Sequence, residues 1–91
     1  MNDAEGWRSL FLKWPSELPR RGVVVTSFGD QIPFHEFMLH DQFVLLQRRA
    51  PDTVGGRDVI VPYQQIWGLK MTEVVKPKLY REAGFAGPGA A

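Results

Sequence analysis

A chain of 91 residues with no cysteine makes one small domain, which excludes disulfides and thiolate metal sites. Its formal net charge of +1 does not announce a nucleic-acid binder. No run reaches the roughly 18 apolar residues of a membrane span, and the first residues lack a signal-peptide pattern, so a cytoplasmic protein away from the membrane is expected.

The charge is unevenly placed. Residues 1–47 carry four basic and six acidic side chains, a net of −2; residues 48–81 carry seven basic and three acidic, a net of +4. Such a bias suits an anionic partner, and it equally suits an ordinary solvated surface.

Asn2 or Asp3 can cap a helix start, and Asp3 and Glu5 complement the positive end of its dipole. Trp7, Leu10, Phe11 and Trp14 follow at i, i+3, i+4 and i+7, which places all four on one helical face. Pro15 ends the helix. The polar face is not rich in basic residues, so the helix should pack on its own domain rather than on a membrane surface. Residues 1–20 are thus a helix and connector.

From Arg21 the period changes. Gly22 to Ser27 is β-branched and runs into Gly29-Asp30, a strand followed by a tight turn. Gln31 to His40 reads as a second strand with apolar residues on both alternations: Ile32, Phe34 and Met38 on one, Phe37 and Leu39 on the other. Such a strand must bend or be covered on both sides. Phe43 to Arg49 is the third strand, and residues 50–57 form a turn-rich loop. Asp58 to Tyr63 is a short fourth strand in which Pro62 removes a ladder donor. Tyr63-Gln64-Gln65 is a tight turn, and Ile66 to Val74 is the fifth strand. Residues 21–75 therefore read as a strongly bent, five-stranded antiparallel sheet closing as a small β-barrel, which would remove its edges. After Val75 regular structure breaks at Lys76-Pro77-Lys78. Residues 76–91 read as a tail, disordered over its last few residues, from which Leu79, Tyr80 and Phe85 could still dock.

In element order, residues 5–74 resemble the Sm-like family, in particular its bacterial Hfq-type branch of RNA chaperones. Asp41-Gln42-Phe43-Val44-Leu45-Leu46 is similar to the Asp-Gln-Phe-Val-hydrophobic-Leu-Leu stretch of that branch. Val61-Pro62-Tyr63-Gln64-Gln65-Ile66 occupies the place of its Val-Tyr-Lys-His-Ala-Ile turn. The resemblance implies a ring-forming homo-oligomer that pairs the fourth strand of one subunit with the fifth of the next. It also implies a uridine-binding face on which Gln42 reads a base and Phe43 stacks on it. Gln64 and Gln65 stand where the branch has Lys and His, which removes a charge and an imidazole. Arg48, Arg49 and Arg57 are the cations that could replace them as phosphate contacts. The Asp and Asn pattern and the Arg-Gly turn of the archaeal and eukaryotic Sm signature are absent.

Each of these residues has a plainer reading beside it. Phe43 can be core, Gln42 a turn residue, and Arg48 and Arg49 a solubilising strand end. Gly55-Gly56 lacks the Lys-Ser/Thr and helix of a phosphate-cradling loop. His35 and His40 are five apart, so on one strand they face opposite sides and share no metal; Glu36 and Asp41 fail as a carboxylate pair for the same reason. Thr26 and Ser27 lack a nucleophile elbow. The expectation is a non-enzymatic module without cofactor, metal or small-molecule substrate. It either binds single-stranded RNA as an oligomer through Gln42, Phe43, Arg48, Arg49, Arg57, Gln64 and Gln65, or serves as a structural or protein-interaction barrel without nucleic acid.

Overall fold

A computed structural model describes residues 3–87. Helix α1 spans Ala4–Leu12. Six strands follow: β1 Gly22–Thr26, β2 Gln31–Phe34, β3 Glu36–Leu39, β4 Phe43–Gln47, β5 Asp58–Pro62 and β6 Ile66–Lys70. A 3₁₀ turn, Tyr63–Gln65, joins β5 to β6, and helix α2 spans Pro77–Glu82.

The strands form two separate antiparallel sheets, ordered β2-β1-β6 and β3-β4-β5. This corrects the expected five-stranded closed barrel on two counts. First, the long second strand is divided. Alternation runs inward at Ile32 and Phe34, breaks at His35, and resumes inward at Phe37, leaving Met38 and Leu39 outside. A bend at one residue changes the parity, so Phe34 and Phe37 both turn into the core and meet edge to face, 6.1 Å apart. Apolar residues on both alternations are therefore satisfied by a bend, not by a second covering layer. Secondly, closure would need β5 to pair with β6, and among the described residues it does not. Pro62 ends β5 without a ladder donor, and the 3₁₀ turn carries the chain across to β1.

The core lies between the sheets and under α1. Val24, Ile32, Phe34, Phe37, Val44, Leu46, Val61, Tyr63 and Ile66 are buried, joined from the helix by Phe11. Phe11 stacks on Trp14 at 5.6 Å and meets the Phe37 ring edge to face at 5.0 Å. Trp14 caps its contribution by donating its indole N–H to the Leu18 carbonyl, 3.0 Å away. The helix thus sits on its own domain, as its apolar face predicts; Asp3 occupies the N-cap position without a side-chain cap, and Asn2 lies outside the described residues.

The segment after Val75 also departs from expectation. Pro77 opens α2 at a position where its missing N–H and fixed φ cost a helix nothing. Tyr80 and Phe85 meet edge to face, and both line an apolar groove with Trp7, Leu10 and Trp14. The terminal residues expected to be disordered lie outside the described residues.

Candidate nucleic-acid interface

Strand β4 carries the candidate residues at its two ends. Its even positions, Val44 and Leu46, are buried, so Phe43, Leu45 and Gln47 face outward. Phe43 is thereby removed from the core: it is half-buried on the outer face, opposite Pro62 in the β4–β5 register, with the His40 ring 5.1 Å away.

A cleft of about 340 Å³ opens beside it. Gln42 and Phe43 from β4's start, Gln64 from the 3₁₀ turn, and Glu5 and Arg8 from α1 line it. The cleft is built by backbone order. The Gln42 amide donates to His40 Nδ1 at 3.0 Å, and the Gln42 carbonyl accepts from the Tyr63 amide at 3.2 Å. The Tyr63 hydroxyl donates to the His40 carbonyl at 2.9 Å, tying the 3₁₀ turn to the β3–β4 connection. Burial pushes the Tyr63 phenol above its ordinary pKa, against the opposing effects of Arg8 and of that hydrogen bond.

Arg8 has no counterpart among the sequence-derived candidates, because 33 residues separate it from Asp41, the carboxylate it meets at 3.4 Å. No sequence pattern marks it; only the docking of α1 brings it there. With Glu5 and Asp41 also lining the cleft, its charge does not favour a phosphate. Its aromatic face and two amide side chains suit a base: a ring to stack on, and donors and acceptors for a base edge.

The remaining candidates lie elsewhere. Gln65 is held by Ser27, whose hydroxyl donates to Oε1 and whose amide donates to the Gln65 carbonyl at 2.8 Å, and it does not line the cleft. Arg48 and Arg49 stand at the opposite end of β4 and line a pocket with Arg21 and His35. From Phe43 to Arg48 the strand covers about 16 Å at its usual rise. The Arg57 carbonyl accepts from the Arg48 amide at 3.0 Å, while its side chain is exposed and lines neither site. The seven candidates therefore divide: Gln42, Phe43 and Gln64 converge, Arg48 and Arg49 converge separately, and Gln65 and Arg57 join neither.

Among the described residues no group of three His, Asp or Glu side chains could hold a metal, and no helix is long and apolar enough to cross a membrane. No family model, curated protein or solved structure matches this chain.

Proposed function

We propose that the chain is a divergent Sm-like module that binds single-stranded RNA by stacking a base on Phe43 in the cleft between α1 and the start of β4. The observation that carries this reading is the outward placement of Phe43 beside Gln42 and Gln64, with Arg8 on the facing helix. Gln42 and Gln64 address the base edge, and Arg8, paired with Asp41, borders the cleft without replacing the basic pair at whose places Gln64 and Gln65 stand. Among the described residues β5 and β6 are edge strands, which supports assembly of several copies by strand addition.

The test is a salt titration of binding to uridine-rich and adenine-rich oligonucleotides. Binding that weakens with Phe43→Ala and depends only shallowly on salt is expected, since the cleft holds one arginine beside two carboxylates; absence of binding at low salt overturns the reading. Light scattering tests the assembly: a monomer at high concentration overturns the oligomer.

A second reading is a protein-interaction module without nucleic acid. It rests on the outer face of β3-β4-β5, where Met38, Leu45 and Ile60 stand in register across three strands. Met38 and Ile60 are 60% and 63% exposed, an apolar row that a solvated sheet face does not require.

A further inference from the structure

The other end of β4 holds a second constellation. The β1–β2 register sets Gly22 opposite Phe34, and the β3–β4 register sets Glu36 opposite Gln47. Extending each by one residue brings Arg21, His35 and Arg48 side by side, and the His35 amide donates to the Gln47 carbonyl at 2.9 Å. With Arg49 they line a pocket of about 280 Å³ that has no carboxylate in its wall.

Two residues that line it each hold a polar atom without a hydrogen-bond partner, His35 Nδ1 and Arg48 Nε, both closed off from solvent. Buried donors and acceptors are normally paired, so two orphans in one pocket need a reason. The nearby acids do not supply one. Glu73 pairs with Arg21 at 3.0 Å, and Glu36 is taken by Arg20 and by the Phe37 amide. Asp52 accepts the Val54 and Gly56 amides at 2.9 and 2.7 Å and acts on Arg48 only through its charge, without an ion pair. Asp58 pairs in register with Gln47, whose side chain is on the sheet face opposite to that of Arg48. Neither Arg48 nor Arg49 makes an ion pair among the described residues.

We propose that this pocket is a binding site for a phosphate group, held by Arg48, Arg49 and His35 with Arg21 beside them. A guanidinium offers Nε–H and a terminal N–H in a fixed fork that matches two oxygens of one phosphate. Rotation of the Arg48 side chain would present that fork to the pocket, and its unpartnered Nε–H becomes one of the two donors. A turn of the His35 ring brings its unpartnered Nδ1 toward a third oxygen. The volume is several times the roughly 30 Å³ share of a water molecule, so a tetrahedral oxyanion fits. The site stands on its own residues and does not depend on base stacking at Phe43.

Imidazole nitrogen and proton resonances of the full chain, followed while inorganic phosphate is added at constant ionic strength, test it. The His35 ring should shift saturably in the millimolar range or below. In the inorganic phosphate titration the His40 ring, beside Phe43 at the other end of the strand, is an internal control. Arg48→Ala should weaken the response at least tenfold and Arg49→Ala to a smaller degree, with amide spectra verifying that each variant is folded. Phe43→Ala should leave it unchanged, which separates this site from the RNA reading. A nucleoside monophosphate and a dinucleotide run beside phosphate identify the source. Tighter binding of the monoester assigns the pocket to a free or terminal phosphate, and tighter binding of the diester to a nucleic-acid chain. No saturable shift with any of the three, an equal shift with chloride, or an undiminished response in both arginine variants overturns the proposal.

Discussion

The two ends of β4 differ in almost every respect that matters to a ligand. At its start, Phe43 is walled by a helix and a 3₁₀ turn, and the cleft mixes one arginine with two carboxylates. At its finish, Arg48 and Arg49 meet Arg21 and His35 in a pocket without an acid in its wall. One end offers a ring and amides, the other charge. Roughly one strand length separates the aromatic ring from the arginine pair. A near-neutral chain can thus carry a locally basic pocket, which the net charge of +1 hides.

The largest effect should come from removing the wall of the Phe43 end. Phe11 is 1% exposed and touches Trp14, Phe37 and Tyr63. Phe11→Ala should cost about 3–5 kcal/mol, lowering the melting temperature by at least about 12 °C in a domain this small. A loss below about 1 kcal/mol in chemical denaturation would mean that α1 does not hold the fold. Phe43→Ala should instead spare stability and weaken oligonucleotide binding by about 1–3 kcal/mol, roughly five- to 150-fold. Equal affinity for variant and parent would remove the base from this end of the strand.

Tyr63→Phe deletes the hydrogen bond that ties the 3₁₀ turn to the His40 carbonyl. A cost of about 0.5–1.5 kcal/mol is expected in the same denaturation experiment. The smallest effect belongs to the arginine end and depends on pH. The Gly56 and Val54 amides hold the Asp52 carboxyl below its ordinary pKa. Its folded value is therefore below its unfolded one. The resulting stabilisation is complete above the usual carboxylate range and is lost as pH falls through the lowered folded value. Asp52→Asn should accordingly flatten the acid limb of a melting-temperature profile and leave its neutral plateau nearly level. An acid limb identical to the parent's would show that the loop amides do not favour the carboxylate.

Much of this arrangement is legible in the residues. The spacing of Trp7, Leu10, Phe11 and Trp14 places the helix, and the alternation around Val44 and Leu46 places β4. The turn at Tyr63-Gln64-Gln65 falls where the sequence puts it. The bend at His35 is harder to read. Apolar residues on both alternations announce that something must give, but His35 is neither glycine nor proline, so the packing of Phe34 against Phe37 decides where. The helix at Pro77 was hidden by a residue that reads as a breaker and in fact starts a first turn. Arg21 and His35 could not be joined to Arg48 from the sequence, because only two strand registers, meeting at the bend, bring them together. Arg8 depends in the same way on where α1 docks.

The division at His35 also sets an order of assembly. Sheet β3-β4-β5 is a meander of consecutive strands, so its pairs form by closing short loops. In the other sheet Val24 must find Leu69, nearly half the chain away, before β6 can pair with β1. Loop closure is paid before such a contact rewards it, so the meander should be largely formed at the folding barrier while β6 docks afterwards. Mutational φ-values near one at Leu46 and near zero at Leu69 are the expected signature. The last strand to join is then the one that carries Trp67 and Leu69.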